Sequence, residues 1–200
     1  PLPVAQKDLT VSGHAVEVRL YAEDPSRNFL PSTGTLTRLR FGQTGPHVRV
    51  DTGVREGDQV TVHYDPMIAK LIVWDSDRHQ ALRRLRTALS ECQIAGVNTN
   101  TAFLTGVAAH PAFIDGDLDT GFIERHSADL IPETGALSDR IVALAALDQV
   151  LRRAVEVQKA ADASEDPYSP WSTVNGWVMN EDAHEVIRFA DGDQEISVTV

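Results

Sequence analysis

Arg49 is the residue whose type and setting best suit a chemical role. It lies between Val48 and Val50, so a strand through this region places both valines on one face and the guanidinium on the other. The planar guanidinium offers two parallel N–H donors, a geometry that suits planar anionic oxygens. A lone strand arginine can equally be a solvated surface residue, and its surroundings must decide between the two.

Three acidic residues could form an acid/base pair or a cation site. Glu17 falls on an alternating strand, however, and the pair Asp24-Pro25 is typical of a turn, so we favour a structural role for them and for Glu23. The 7 histidines lack the spacing of zinc ligands and none is paired with a nucleophile. We therefore predict no metal site in this chain.

The composition excludes several classes of partner. The 29 acidic residues outnumber the 18 lysines and arginines, which argues against a nucleic-acid surface. No apolar run approaches the roughly 18 residues of a membrane span, so we expect no membrane association. The single cysteine, Cys92, excludes an internal disulfide and fits a reducing, cytoplasmic setting, with its side chain buried on a helix. The chain begins at Pro1 without a methionine, which suggests a fragment of a longer protein.

Residues 11–74 have the alternation of short β-strands. Glycines at turn positions divide this region, which predicts a compact antiparallel sheet. The apolar positions expected to face the core are Val16, Val18, Leu20, Leu36 and Leu39.

Apolar residues at helical spacing follow this β-rich region. An N-cap at Ser76 or Asp77 precedes apolar residues that recur at three and four positions as far as Cys92. A second helix is predicted over about 99–109, stopped by Pro111, and a short third one near 120–126. A long helix is predicted over about 138–161, with Leu144, Leu147, Leu151 and Ala154 on one face.

The fold class predicted from these elements is α+β. Residues 1–126 form the first domain, residues 127–165 a linker with the long helix, and residues 166–200 the start of a truncated β-rich domain. This last segment contains Trp171, Trp177 and two alternating runs joined at Asp191-Gly192, which predict a hairpin.

Three stretches resemble a known family. The run from Gly13 to Glu17, the Val-Arg pair at Arg49 after a Gly/Pro-rich turn, and the run from Tyr64 to Leu71 resemble the C-terminal part of biotin carboxylases. The segment from Asp166 to Trp177 resembles the start of the domain that joins biotin carboxylase to the biotin carrier in acyl-CoA carboxylase α subunits. The likeness is closest to 3-methylcrotonoyl-CoA carboxylases.

The resemblance implies roles for particular residues. Arg49 matches the arginine that contacts bicarbonate and biotin, where it would stabilise the enolate-like ureido oxygen. Phe122 aligns with a side chain that closes over the adenine of ATP, although a helical phenylalanine can also be a core residue. Lys70 is flanked by Ala69 and Leu71 rather than by methionines, so we do not expect it to be biotinylated. The stretch 64–71 is instead expected to be a structural strand.

The resemblance also implies cofactors and partners. The parent enzyme would use biotin, ATP and Mg²⁺ or Mn²⁺, whereas the fragment is expected to bind none of them and to be inactive alone. Its partners would be the rest of the α subunit with the biotin carrier, a carboxyltransferase β subunit, and a second copy in a homodimer. The alternative is a non-catalytic assembly module for dimerisation and subunit docking.

Overall fold

The chain divides into two compact units, Pro1–Glu133 and Thr134–Val200. A computed structural model describes residues 3–131, 135, 137–169, 179–180, 184–191 and 194–200. Strands predominate over residues 14–75 and helices over residues 78–162, a segregation that is typical of the α+β class. The division into three segments at residues 126 and 165 stays a prediction.

The first unit contains nine strands among its described residues, together with two short 3₁₀ helices at Gln6–Asp8 and Pro25–Arg27. The strands are β1 (His14–Tyr21), β2 (Glu23–Asp24), β3 (Leu30–Pro31), β4 (Gly34–Thr35), β5 (Arg38–Arg40), β6 (Val48–Thr52), β7 (Gln59–Val60), β8 (Met67–Asp75) and β9 (Gln93–Ala95). Its helices are α1 (Arg78–Ser90), α2 (Thr101–Ala109), α3 (Pro111–Asp115), α4 (Phe122–Arg125) and α5 (Ser127–Leu130).

The strands pair antiparallel, as predicted, but they form several small sheets rather than one. The three-stranded sheet has the order β1-β8-β6, and β2-β3, β4-β7 and β5-β9 form separate ladders. The central strand β8 sets the register, because Leu71 lies opposite both Val18 of β1 and Val50 of β6. Of the predicted core positions, Leu20, Leu36 and Leu39 belong to the main core cluster, and Val16 and Val18 are partly buried and pack against it.

Helix α1 covers the apolar face of this sheet. Asp77 is its N-cap, and the side chain accepts a 2.8 Å hydrogen bond from the backbone N–H of Gln80. Five residues at helical spacing are buried against the core: Ala81, Leu82, Leu85, Ala88 and Leu89. The prediction of this helix is confirmed, except that Cys92 lies two residues beyond its last residue, Ser90.

Helix α2 is fixed to the sheet by a buried amide. Asn100 accepts a 3.0 Å hydrogen bond from the Tyr21 N–H and donates a 3.1 Å bond to the Arg19 carbonyl. The helix ends before Pro111, as predicted, but that proline also begins α3. A proline is tolerated at a first helical position because the missing N–H would have no intrahelical partner there.

The described residues of the second unit form one long helix and one hairpin. Helix α6 (Asp139–Asp162) begins after its N-cap Ser138, and strands β10 (Val186–Asp191) and β11 (Gln194–Thr199) pair antiparallel with Asp191 opposite Gln194. Both predictions are confirmed, whereas Trp171 and Trp177 lie outside the described residues. Within the described ranges, no helix combines the length and the hydropathy that crossing a membrane requires.

Candidate functional site

Arg49 lies on the outer face of the three-stranded sheet. Its neighbours Val48 and Val50 pack against the core, so the alternation of β6 directs the guanidinium away from it. The Arg49 side chain is 74% exposed. The sequence predicted this orientation, and the structure confirms it.

One edge of the Arg49 guanidinium is held by Asp51. Nε donates to Oδ1 at 2.8 Å and Nη2 donates to Oδ2 at 2.9 Å, a two-point contact. This contact lowers the pKa of Asp51 and raises that of Arg49, so the pair stays charged. Arginine has five N–H donors, and this contact uses two of them. The edge of Arg49 that includes Nη1 can therefore donate to a further anionic oxygen.

Lys70 connects this pair to the next strand. Its register position in β8 is directly opposite Asp51, and its Nζ lies 3.9 Å from Asp51 Oδ2 and 3.7 Å from Glu17 Oε2. Arg49, Asp51, Lys70 and Glu17 therefore form a row of alternating charge across the sheet, which we call the charged row. Asp51 is restrained on both sides because it lies between the cations of Arg49 and Lys70.

The structural role predicted for Lys70 is confirmed in part. Lys70 lies within β8 between the buried residues Ala69 and Leu71. The strand begins at Met67, however, and Tyr64 is highly exposed ahead of it. The intervening Pro66 has no N–H to donate to a strand ladder, which explains why the strand does not extend back to Tyr64.

The two acidic residues after β1 have structural environments. Asp24 accepts hydrogen bonds from the backbone N–H of Ser26 at 3.0 Å and from its hydroxyl at 2.6 Å, and the hydroxyl contact chiefly lowers the pKa of Asp24. Glu23 lies near Asp65, and burial, followed by repulsion from Asp65, raises its pKa. The predicted turn at Asp24-Pro25 is confirmed.

Phe122 lies in a small apolar cluster with Phe103 and Leu130 and is only 5% exposed. Its ring also contacts two imidazoles, those of His110 at 5.4 Å and His126 at 5.0 Å between centroids. This environment accounts for Phe122 as a core residue. Its contact with adenine stays a prediction.

The helices bring together three potential ligands that the sequence analysis did not associate. The ligand atoms of His110, His126 and Asp129 lie within 4.8 Å of one another. His126 and Asp129 are one helical turn apart, but helices α3 and α4 separate His110 from them in the sequence. The sequence contained no spacing signal for this cluster, because packing of separate helices creates it.

A cavity of about 500 Å³ lies between the turn before β6 and helix α1. Its lining includes His47, Arg83 and Arg84. The side chain of Arg49 does not belong to this lining, because β6 directs it to the other face of the sheet. Arg49 is thus presented on an open surface, and a site around it would need a second wall.

Comparison with known proteins assigns this fold to a family. The family described as the biotin carboxylase C-terminal domain matches residues 17–125. The mitochondrial methylcrotonoyl-CoA carboxylase subunit alpha of Dictyostelium discoideum is 45% identical over 199 residues, which are 100% of this chain and 28% of that protein. The mouse protein of the same name is 38% identical over the same coverage. The chain therefore spans little more than a quarter of the length of these relatives.

A solved structure shows the same similarity. The biotin carboxylase domain dimer of Hydrogenobacter thermophilus 2-oxoglutarate carboxylase, in complex with MgADP, ADP and bicarbonate, is 36% identical to this chain with a TM-score of 0.62. The match covers 64% of this chain and 28% of that one.

Proposed function

Because this chain belongs to the family of biotin carboxylase C-terminal domains, we propose that it forms one wall of a biotin carboxylation site in an acyl-CoA carboxylase α subunit of the methylcrotonoyl type. The observation that carries this proposal is the exposed guanidinium of Arg49, held along one edge by Asp51 and able to donate along the other. The ATP, the Mg²⁺ or Mn²⁺ and the biotin carrier belong, in this proposal, to the rest of the subunit.

Arg49 acts in this proposal by electrostatic stabilisation. Bound biotin supplies a ureido group whose oxygen gains negative charge as the adjacent nitrogen becomes nucleophilic. The free N–H donors of Arg49 fit such an oxygen, and they also fit bicarbonate. Because Asp51 already fixes the guanidinium plane, little reorganisation is needed when the charge develops. Lys70 restrains Asp51 and so acts on the reaction only through Arg49.

Phe122 is the residue that we propose contacts adenine. Its burial leaves little of the ring available, so we propose at most an edge contact after the rest of the subunit closes on this domain. The isolated chain provides only one wall of the site, and we expect it to be inactive alone.

The test uses a full-length Dictyostelium methylcrotonoyl-CoA carboxylase α subunit whose matching 199 residues are replaced by this chain. The assay is bicarbonate-dependent ATP cleavage in the presence of free biotin. We expect Arg49→Ala to lower kcat at least about a hundredfold, the typical loss when one charge-stabilising donor is removed.

Arg19→Ala is the matched control, because Arg19 is also an exposed strand arginine of the same sheet face, at 62% against 74% for Arg49. We expect this control to retain activity. An Arg49→Ala chimera as active as the Arg19→Ala chimera would contradict the proposed role, as would an unsubstituted chimera that folds but does not cleave ATP.

A second function, assembly, is favoured by the surface of α6. Leu144, Leu147 and Leu151 lie on one face of this helix and are each more than half exposed. Such a face is typical of a contact with another polypeptide. In this proposal it docks against a carboxyltransferase β subunit, while the first unit contributes to a homodimer.

Glutamate substitution of Leu147 tests the docking role in the same chimera. We expect Leu147→Glu to weaken co-purification with the β subunit and to leave biotin-dependent ATP cleavage unchanged. Normal co-purification would remove the support for docking without affecting the proposal for Arg49.

The predicted cytoplasmic location belongs to this proposal as well. The free thiol of Cys92 fits a reducing compartment. The Dictyostelium and mouse relatives are described as mitochondrial, so fractionation of cells that express the native gene would distinguish the two compartments.

A further inference from the structure

We propose that His110, His126 and Asp129 form a binding site for one divalent transition-metal cation of the Zn²⁺ class. Two imidazoles and one carboxylate are a donor set that such cations bind, with the remaining coordination positions open to water. The site lies in the helical part of the first unit and does not depend on the proposed role of Arg49.

Helix ends position the three donors. His110 is the residue between α2 and α3, and His126 is the residue between α4 and α5. Asp129 follows His126 by one turn, and its backbone N–H donates to the His126 carbonyl at 3.0 Å. Three ligand atoms, one from each residue, lie within 4.8 Å of one another.

Among the described residues, ring contacts rather than hydrogen bonds orient the two imidazoles. The His110 and His126 rings have centroids 4.2 Å apart, and both rings contact the buried ring of Phe122. These contacts restrict how the imidazoles can turn. The nitrogen lone pairs therefore remain available to a ligand.

One of these nitrogens lacks a hydrogen bond within the described part of the chain. His110 Nδ1 is buried and has no hydrogen-bond partner among the described residues. A buried polar atom without a partner is costly, because it has lost its hydrogen bonds to water and gained none in the protein. A cation held by this cluster would compensate for that cost if it bound Nδ1, or would fix the ring tautomer if it bound Nε2.

The remaining donor can complete the site with a small movement. Ligand bonds of about 2.0–2.2 Å bring tetrahedral donors to about 3.4 Å from one another. The cluster must therefore contract from its present spacing, and Asp129 is exposed and able to rotate inward.

The positive charge of Arg125, next to His126 in the sequence, is neutralised by Asp119. Arg125 Nη1 lies 2.8 Å from Asp119 Oδ1 and 2.9 Å from Oδ2. This ion pair leaves Asp129 as the carboxylate that faces the two imidazoles. The electrostatic environment is thus compatible with a bound dication.

The test measures metal binding by the complete 200-residue chain. Zn²⁺ affinity is obtained by competition with a chromogenic chelator, and Co²⁺ is added separately because its visible absorption reports the ligands and geometry. We expect one equivalent of Zn²⁺ to bind, and a visible Co²⁺ spectrum that Zn²⁺ abolishes. The double variant His110→Ala/His126→Ala should lose at least about a hundredfold in Zn²⁺ affinity, since even loss of an outer-shell partner costs about ten- to a hundredfold.

The matched control is His63→Ala/His79→Ala, which removes the same number of histidines from exposed positions of the same unit. We expect the control to bind Zn²⁺ as the unsubstituted chain does. Because His110 and His126 are packed residues, Asp129→Asn provides a test that leaves the packing intact, with an expected loss of about tenfold or more in affinity.

Zn²⁺ binding that is equal in the unsubstituted chain and in Asp129→Asn would overturn the site, whether or not the double variant folds. So would equal losses in the histidine double variant and its control. A chain that binds no Zn²⁺ and gives no Co²⁺ spectrum would overturn it outright.

Discussion

The two faces of the sheet β1-β8-β6 carry opposite kinds of side chain, apolar on one face and charged on the other. On one face, Val18, Leu71 and Val50 lie side by side and pack under α1. On the other, the charged row places Lys70 between Glu17 and Asp51. The same strands carry both sets of residues at alternate positions.

The alternation of side chains along these strands therefore serves two purposes. Residues of the apolar face stabilise the fold by removing hydrocarbon from water. Side chains of the charged row keep between 33% and 74% of their surface exposed, and ion pairs at the protein surface add little stability, about 0–1 kcal/mol each. The charged row is therefore better explained by what it presents, the guanidinium of Arg49, than by what it stabilises.

The largest expected effect lies on the apolar face. Leu71→Ala removes a fully buried side chain from the central strand and should lower the free energy of unfolding by about 2–5 kcal/mol. Ile72→Ala changes the adjacent, partly exposed residue of the opposite face and should cost less than half as much. Urea unfolding followed by circular dichroism measures both, and equal losses would mean that the two faces do not differ as described.

The next effect lies on the charged row. Asp51→Asn removes the charge that fixes the Arg49 guanidinium, so kcat for biotin-dependent ATP cleavage by the chimeric subunit should fall about tenfold or more. The free energy of unfolding should change by less than about 0.5 kcal/mol, because the ion pair is exposed.

Asp24→Asn is the control for Asp51→Asn, since Asp24 is a hydrogen-bonded aspartate in a turn of the same unit. It should leave kcat unchanged. Parallel losses of activity and stability in Asp51→Asn would indicate a structural role for Asp51 rather than a positioning one.

The smallest expected effect concerns the ionisation of the Cys92 thiol, which packs against the core on the apolar side of the sheet. Burial, followed by the charge of Glu91, raises the pKa of the Cys92 thiol from 9.0 to about 11, whereas Arg49 and Lys70 lower the pKa of Asp51 on the charged row. At pH 8 the thiolate fraction of Cys92 is then about a hundredfold lower than in the unfolded chain. A thiolate of higher pKa is also a stronger nucleophile, and this offsets about tenfold of the hundredfold loss. Reaction of Cys92 with a thiol reagent should therefore be about tenfold slower in the native chain than in urea.

The same shift of Cys92 gives a pH dependence of stability. A thiol whose pKa is raised by folding keeps its proton in the native state while the unfolded chain ionises. The contribution to stability is therefore complete below pH 9 and declines as the pH rises from 9 towards 11. Cys92→Ala should remove this decline, and native reaction rates equal to those in urea would contradict the burial argument.

Periodicity explains which parts of the fold could be predicted. The spacing of Ala81, Leu82 and Leu85 predicts α1 because a helix buries one face, and the alternation at Val48 and Val50 predicts where Arg49 points. Both depend only on neighbours in the sequence.

Register and helix packing explain what the sequence could not predict. The contact of Lys70 with Asp51 depends on how β8 aligns with β6, and no local pattern specifies that alignment. The cluster of His110 and His126 depends on the packing of short helices around Phe122. The spacing in α6 predicted the helix but not what covers Leu147, because an amphipathic pattern does not identify its partner.

The most direct test of the central claim uses Arg49→Lys in the chimeric subunit. Lysine keeps the positive charge but loses the planar fork that contacts Asp51 and a substrate oxygen together. We expect kcat for bicarbonate- and biotin-dependent ATP cleavage to fall at least about tenfold while the melting temperature stays unchanged. An Arg49→Lys chimera within twofold of the unsubstituted one would contradict the claim that the guanidinium of Arg49, held by Asp51, forms part of the carboxylation site.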